Sequence, residues 1–253
     1  MGLVAWLAVS GTGLAAKTDD LSGCRKAFSR DFPNTPVDKV VKAPVKGLCE
    51  VHSGVNVLYY APPDATGSTG GLLFIGSIYT PGGESLTDAV RKTLESKVVR
   101  SIDRSNAIKV GNGPVEVIEF SDPDCPYCRK LEAFFTRDEI ASKITRYVFL
   151  FPLERLHPFA MSHARWILCQ PDPGAALKEV MVDGVLDGKE VDYPASCTLA
   201  LTERHLRAAR SAARRMALSG TPLVIVGDSV LRGPRPEVIQ EHLNRLEDVK
   251  SSR

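Results

Sequence analysis

The chain has 253 residues, of which 43% are hydrophobic and 25% are charged, with 20 Gly and 17 Pro. At roughly 150 residues per domain this length suits one large domain or two ordinary ones, and the composition excludes collagen, coiled-coil and fully disordered classes. The 32 Lys and Arg nearly balance the 30 Asp and Glu, for a net charge of +2, so nucleic-acid binding through one large basic surface is not expected.

The uncharged N-terminus is the first feature in chain order. Residues 1–16 hold an apolar run followed by small residues, which resembles the end of a secretory signal peptide without its basic start. The alternative is a frayed or partly buried N-terminus. No segment approaches the roughly 18 apolar residues of a membrane-spanning helix. We therefore expect an exported, soluble protein.

Residues 17–84 have the pattern of a small α+β unit. The sequence predicts a helix over about 19–30 and strands over 55–60 and 72–79. β-branched and aromatic residues fill the two strand segments, whereas Pro and Gly punctuate the segment between them, which indicates a turn.

A longer helix is predicted next, from Leu86 to about Ser105. This segment contains no Gly or Pro, and its apolar residues recur near helical spacing. Glycine-rich segments precede and follow it. We therefore expect a helical linker over 85–110, with a domain boundary near residue 110.

Residues 111–253 have the pattern of a second domain. An apolar run at 115–120, a helix that opens at the segment CPYC and a second apolar run from Arg146 predict a βαβ unit, whose strands are parallel and whose crossover is right-handed. Residues 157–218 have a helical pattern. The chain then returns with a strand at LVIV and a last amphipathic helix over about 237–249.

The six cysteines form an even set. Cys125 and Cys128 make a C-x-x-C pair. The other four lie at separations that would close two loops of similar size, and a bridge across each contributes about 3 kcal/mol in the chain-entropy view. These pairs are Cys24 with Cys49 and Cys169 with Cys197. Such bridges persist only in an oxidising compartment.

The C-x-x-C pair has a zinc interpretation and a redox interpretation. Zinc needs four ligands, and only the distant cysteines could complete such a set. The pair follows a strand and opens a helix, which favours redox chemistry, because free N–H groups and the helix dipole stabilise a thiolate there. We expect an exposed Cys125 that attacks and a shielded Cys128, one turn deeper, that resolves. Asp122 and Asp124 oppose the thiolate by like-charge repulsion, whereas Arg129 and Lys130 would favour it if their side chains turn back. The sequence leaves the sum of these effects open.

Four landmarks in chain order carry a family resemblance. They are KAPVKGLCEVHSGVNVLYY with LLFIGSIYT, then FSDPDCPYC, then YPASC, then SGTP. They resemble the periplasmic disulfide isomerases of the DsbC and DsbG type, in the thioredoxin-like superfamily, over nearly the whole chain. The resemblance implies an α+β protein with a cystatin-like N-terminal dimerisation domain, a helical linker and a thioredoxin fold with a helical insertion over about 157–218.

The resemblance also implies roles for residues of the site. Cys125 is the attacking cysteine and Cys128 the resolving one. Pro222 is a cis-proline that faces the pair, with Thr221 before it, where its backbone can pair with a bound peptide. The alternative is a trans proline that merely starts a strand.

The two further cysteine pairs differ in their support. Cys169–Cys197 matches the second, structural pair of the family. Cys24–Cys49 has no expected counterpart there, and its bridge is inferred from the even cysteine count and from export. We expect this bridge to stabilise the fold and to have no catalytic role.

Glu119 lies six residues before Cys125. The chain resembles two relatives at this position, because thioredoxin has a buried Asp there and the oxidase DsbA has a Glu. If Glu119 is on the buried face of a central strand, its carboxyl is desolvated and its pKa is raised. Our hypothesis is a proton relay to or from Cys128. The alternative is a carboxylate at the strand end that reaches solvent.

Other polar residues have structural interpretations. His157, His163 and His205 lie in or near predicted helices without a second ligand at metal spacing, so we expect surface or capping roles. Arginines recur between 204 and 215, but apolar residues alternate with them at helical spacing, which indicates the solvated face of an amphipathic helix rather than a nucleic-acid site. We expect no metal and no organic cofactor.

The sequence therefore predicts a periplasmic thiol–disulfide isomerase or reductase that acts on misfolded disulfide-containing exported proteins. Pro126 and Tyr127 resemble DsbG more than DsbC, which leaves oxidised single cysteines open as substrates. Tyr127 is the aromatic side chain expected to touch substrate. The resemblance implies a homodimer and a membrane-embedded, DsbD-like thiol reductase as electron donor. The alternatives are a dithiol oxidase, which would lack the dimerisation domain, and a holdase chaperone that binds unfolded chains in the dimer cleft.

Overall fold

A computed structural model of the chain describes residues 21–67, 69–192, 197–233 and 235–251. The signal-like segment, the first two residues of the helix expected from 19, and the YPAS residues of the YPASC landmark lie outside the described residues. The described residues divide into two compact units, one formed by 21–53 and 57–76 and the other by 54–56 and 77–251.

The first unit is a sheet with a helix packed on it. Phe28 on the helix packs against Val51 and Tyr60 of the sheet. The helix is α1 (Leu21–Asp31), and the strands, in sheet order, are β1 (Lys39–Lys42), β2 (Cys49–Ser53), β3 (Asn56–Ala61) and β4 (Leu72–Phe74), with the single turn α2 (Pro63–Thr66) before β4. Strand β1 pairs antiparallel with β2, and β3 with β4.

The second unit contains a sheet of five strands in the order β5-β7-β6-β8-β9. They are β5 (Ile108–Val110), β6 (Val115–Ser121), β7 (Ile144–Leu150), β8 (Leu223–Val226) and β9 (Ser229–Arg232). Strands β6 and β7 are parallel, and the other neighbouring pairs are antiparallel. This arrangement confirms the predicted βαβ unit and the thioredoxin fold.

Helices cover both faces of this sheet. Val117 on β6 packs with Leu131 on one face, whereas the alternate residue Ile118 packs with Val98 and Ala209 on the other, as the twofold period of a strand requires. The helices are α3 (Leu86–Arg100), α4 (Pro126–Phe135), α5 (Asp138–Ala141), α6 (Ala160–Leu168), α7 (Pro173–Met181), α8 (Leu199–Arg215) and α9 (Pro236–Ser251). Among the described helices, none combines the length and the apolar character that a membrane span needs.

The expected helical linker over 85–110 differs from the structure. Helix α3 ends at Arg100, and residues 108–110 form the edge strand β5, which pairs with β7. Val98 and Val99 of α3 pack into the core of the second unit. The boundary between the units therefore follows Gly76 rather than residue 110.

Candidate active site

The two free cysteines of the described chain lie at the start of α4. Cys125 is the N-cap residue of this helix, and Pro126 occupies its first turn, where a residue without an N–H is tolerated because that group would have no helical partner. Cys128 lies one turn further on. Pro126 is exposed, and Tyr127 has 56% of its surface accessible.

Both sulfur-bearing residues are buried, but to different degrees. Cys125 keeps 4% of its surface accessible, whereas Cys128 keeps none. The expectation of an exposed Cys125 is therefore wrong, because the segment that holds Thr221 lies against it. The Cys125 Sγ is 3.7 Å from the Thr221 carbonyl oxygen, and the peptide bond between Thr221 and Pro222 is cis.

Hydrogen bonds and burial shift the pKa values of the two thiols in opposite directions. The Cys128 side chain donates to Cys125, and backbone N–H groups of Cys128 and Tyr127 and the Thr221 side chain add to its effect. Together they lower the pKa of Cys125 to about 5, against the opposing effect of burial. Burial raises the pKa of Cys128 far above its ordinary value, and its hydrogen bond to Cys125 raises it further. The arrangement therefore favours a thiolate at Cys125 and a protonated thiol at Cys128.

The two carboxylates of the active-site loop have basic partners. Asp122 Oδ2 lies 3.0 Å from His157 Nδ1. Asp124 Oδ1 lies 2.6 Å from His163 Nδ1 and 3.4 Å from an Arg129 nitrogen. The like-charge repulsion expected from the sequence is thus offset by neighbouring cations or hydrogen-bond donors.

The histidines depart from the surface or capping roles expected for them. His163 and His205 keep only 1% and 5% of their surfaces accessible. His205 Nε2 accepts a hydrogen bond from the Leu150 N–H at 2.8 Å, which ties α8 to the end of β7. The partners of His157 and His163 are 35 and 39 residues away along the chain, so no local pattern could have found them.

Glu119 lies in the core beneath α4 with no accessible surface. This excludes the alternative of a carboxylate that reaches solvent. Arg146 Nη1 lies 3.7 Å from Glu119 Oε2, while Arg146 Nη2 binds both carboxylate oxygens of Glu132 at 2.8 and 2.9 Å. Burial raises the pKa of Glu119 to about 7, with Arg146 opposing and Glu132 reinforcing the shift. The ion pair to Arg146 was not foreseen from the sequence.

The other four cysteines form disulfides in the structure. Cys24 of α1 is joined to Cys49 of β2, with a Cα–Cα distance of 6.7 Å. Cys169, at the end of α6, is joined to Cys197, just before α8, with a Cα–Cα distance of 5.4 Å. Each bridge links two helices or a helix and a strand within one unit.

Comparisons with known proteins agree with this architecture. Residues 15–88 match the family model for the disulfide bond isomerase protein N-terminal domain, and residues 106–237 match the thioredoxin-like domain. The sequence is 28% identical to a probable thiol:disulfide interchange protein DsbC of Bordetella avium (strain 197N) over 228 residues, 87% of this chain and 74% of the relative. The corresponding protein of Bordetella pertussis (strain Tohama I) is 28% identical over 203 residues, 79% of this chain and 65% of the relative.

One solved structure is also similar in sequence. The disulfide interchange protein from Neisseria gonorrhoeae is 30% identical, and the match covers 56% of this chain and 98% of that protein, with a TM-score of 0.43. The thioredoxin-like model alone spans more than half of the chain. The chain therefore belongs to the thioredoxin-like domain family, as a thiol–disulfide oxidoreductase that also carries the N-terminal domain of the disulfide bond isomerases.

Proposed function

We propose that this oxidoreductase is an isomerase and reductase of non-native disulfides, with Cys125 as nucleophile and Cys128 as resolving thiol. The observation that carries the proposal is the contrast between Cys125, with a pKa of about 5, and its neighbour Cys128, which retains its proton. The Cys125 thiolate attacks a substrate disulfide and releases one substrate thiolate. A substrate thiol then displaces Cys125, which isomerises the substrate, or Cys128 displaces the substrate, which reduces it and leaves a Cys125–Cys128 disulfide.

The surface around Cys125 supports a role in holding substrate. We assign the Thr221 backbone and cis Pro222 to the positioning of a peptide beside the sulfur, and Tyr127 to contact with that peptide. A cleft of about 260 Å³ adjoins the active-site loop, and Leu156 and Phe159 line part of it. Apolar side chains of an unfolded substrate suit such a wall.

The first unit supports a homodimer. Strand β4 ends the four-stranded sheet, and the exposed fractions of Leu72, Phe74 and Ile75 are 49%, 49% and 79%. An exposed apolar sheet edge is typical of an interface. We assign this edge to contact with a second copy of the chain, which would bring two catalytic units into one molecule.

We further propose that the protein works in the periplasm. Its two disulfides require an oxidising compartment. Each reduction of a substrate leaves the catalytic pair oxidised, so continued isomerisation requires an electron donor. We assign this role to a membrane-embedded, DsbD-like thiol reductase, and the substrates are misfolded exported proteins with non-native disulfides.

A dithiol oxidase is a second candidate, since a low pKa of Cys125 stabilises the reduced pair and makes its disulfide a stronger oxidant. The match to the isomerase N-terminal domain favours the isomerase. An oxidase would act from its disulfide form on reduced substrates, so the resting redox state separates the two.

Refolding of scrambled ribonuclease tests the proposal. Cys125→Ser is expected to abolish the regain of activity, and Cys128→Ser is expected to accumulate a mixed disulfide. Regain at the wild-type rate by Cys125→Ser would contradict the isomerase role. Faster activation of reduced ribonuclease by the oxidised protein would instead support the oxidase. If the double serine variant suppresses aggregation as well as the wild type, holdase activity is independent of the thiols.

A further inference from the structure

The side chain of Asp122 is fully buried, and the polar contacts described for it are with two backbone N–H groups and one imidazole ring. Its Oδ1 accepts the N–H of Asp124 at 2.8 Å, and its Oδ2 accepts the N–H of Leu153 at 2.6 Å. The His157 Nδ1 lies 3.0 Å from the same Oδ2. A buried carboxylate is costly unless such partners replace water. These partners compensate the buried Asp122 carboxylate and hold it in one position; we call this set of contacts the Asp122 anchor.

These contacts join two loops of the second unit. One is the active-site loop between β6 and α4, and the other is the segment that follows β7. A backbone hydrogen bond reinforces this connection, because the Phe151 N–H donates to the Ser121 carbonyl oxygen at 2.7 Å. Within the active-site loop itself, the Cys125 N–H donates to the Asp122 carbonyl oxygen at 3.2 Å. The peptide groups before and after Asp122 are thus each held by a backbone hydrogen bond to their carbonyl oxygen.

The fixed active-site loop also places a backbone N–H next to the sulfur of the resolving cysteine. The Asp122 N–H donates to the Cys128 Sγ at 3.4 Å. When Cys128 resolves a mixed disulfide, negative charge develops on this sulfur, which has no access to water. A preorganised N–H is effective at such a position because it needs no reorganisation as the charge forms.

We propose that Asp122 is a positioning residue for the resolving step, in which its buried side chain holds its own N–H against the Cys128 sulfur. The inference rests on the proposed roles of Cys125 and Cys128. It predicts a defect confined to the second exchange, because the Cys125 thiolate obtains hydrogen bonds from the Cys128 side chain and from the backbone N–H groups of Cys128 and Tyr127 instead.

Reaction of the reduced protein with dithio-bis-nitrobenzoate separates the two exchanges. The Cys125 thiolate attacks this disulfide, forms a mixed disulfide and releases one coloured thionitrobenzoate. Cys128 then attacks the Cys125 sulfur, which forms the Cys125–Cys128 disulfide and releases a second thionitrobenzoate anion, while the Cys128 proton ends in the buffer. Stopped-flow absorbance therefore reports the two steps as successive phases.

The test compares Asp122→Asn, which keeps the size but loses the charge and one acceptor, with Asp138→Asn at the exposed start of α5. For Asp122→Asn the second phase is expected to slow about tenfold or more, as for loss of a hydrogen bond to a charged group, while the first phase changes by less than about threefold. The pH midpoint of the second phase is expected to rise. Asp138→Asn is expected to leave both phases unchanged.

An unchanged second phase, or an equal slowing of both phases, would overturn the inference. If Asp122→Asn does not fold, His157→Phe removes one contact of the anchor, and a slowing limited to the second phase is again expected. Equal effects on both phases in that variant would also overturn it. A wild-type protein without a first phase, or a first phase that persists in Cys125→Ser, would instead refute the proposed function.

Discussion

At Cys125 the thiolate gains more from hydrogen bonds than it loses through burial, which is why its pKa falls to about 5 despite its small accessible surface. The helix dipole that the sequence suggested contributes at most about 2 kcal/mol. The structure adds specific donors, above all the neighbouring Cys128 thiol. Burial is the main reason why Cys128 stays protonated, and the same hydrogen bond reinforces it.

Glu119 makes stability depend on pH. The folded protein retains the Glu119 proton to about pH 7, whereas the unfolded chain releases it near 4.5. The unfolded state therefore binds fewer protons between these values, and stability falls as the pH rises through them. Glu119→Gln is expected to flatten this slope in urea unfolding. Glu116→Gln, on the exposed side of the same strand, is the control, and an equal slope in wild type and Glu119→Gln would contradict the assignment.

The relay proposed for Glu119 has a separate test. If this carboxyl exchanges a proton with Cys128, Glu119→Gln is expected to change the pH profile of the second thionitrobenzoate release near pH 7 and to leave the first release unchanged. An unchanged profile in both phases removes the relay role and leaves Glu119 as a member of the buried charge cluster with Arg146 and Glu132.

Single residues differ in how far the sequence reveals them. The C-x-x-C pair was recognisable because its chemistry depends on spacing within one helical turn. In the sequence, Asp122 is recognisable only as a charge that opposes the thiolate, since its partners Leu153 and His157 follow 31 and 35 residues later. The sequence places Arg146 on a strand, but no local pattern indicates that it pairs with two buried carboxylates.

Among the secondary-structure elements, α8 is tied to β7 by His205. Burial lowers the pKa of this imidazole to about 4 from its ordinary 6.5. As the pH drops from 6.5 to 4, the imidazole of His205 binds a proton in the unfolded chain but not yet in the folded protein. The free energy of unfolding therefore falls across this range. The total loss is about 3 kcal/mol. In His205→Gln, whose amide oxygen can still accept the Leu150 N–H, the loss is expected to be much smaller.

Chemical unfolding at several pH values within this window measures the effect. His242→Gln on α9 is the matched control, because His242 bonds only within its own helix in the described contacts and is expected to retain the wild-type slope. A wild-type slope in His205→Gln would show that the acid sensitivity arises elsewhere.

The Cys24–Cys49 bridge fastens α1 to its sheet across a sequence separation of 25. Replacing both cysteines by alanine is expected to destabilise the first unit by about 3 kcal/mol, chiefly by freeing its unfolded state. Both phases of the reaction with dithio-bis-nitrobenzoate are expected to keep their wild-type rates, since the catalytic pair lies in the second unit. An altered first phase would contradict the purely structural role.

Elements were predictable where they are long or strongly patterned. The core strands β6 and β7 and the helices α3, α4 and α9 have apolar runs or helical periodicity of sufficient length. Strand β5 has only three residues, and β1 has a lysine at each end, so neither carries enough alternation to be detected. These short strands are specified by pairing with a neighbour, which local sequence does not encode.

At the scale of the whole molecule, the exposed edge of the first unit is expected to form a dimer. Phe74→Glu places a charge on this edge and is expected to halve the mass observed by sedimentation. Val45→Glu, at an exposed site before β2, is expected to remain dimeric. Isomerisation of scrambled ribonuclease is expected to fall in the monomer, while both thionitrobenzoate phases persist. A dimeric Phe74→Glu would exclude this edge as the interface.

The order of the domains was predictable because it follows from a resemblance spread over four landmarks. The boundary was not, since α3 has the exposed, regular pattern of a linker but buries Val98 and Val99 in the second unit. Long-range packing of this kind decides where one unit ends and the next begins.

Whether Cys125 is the activated thiolate can be measured by the pH dependence of its alkylation in the reduced wild-type protein. Iodoacetamide followed by peptide mass spectrometry identifies which cysteine reacts and at what pH. We predict that Cys125 is modified first, with a midpoint near pH 5. A midpoint near the ordinary thiol value of about 8.5, or earlier modification of Cys128, would show that Cys125 is not the activated nucleophile.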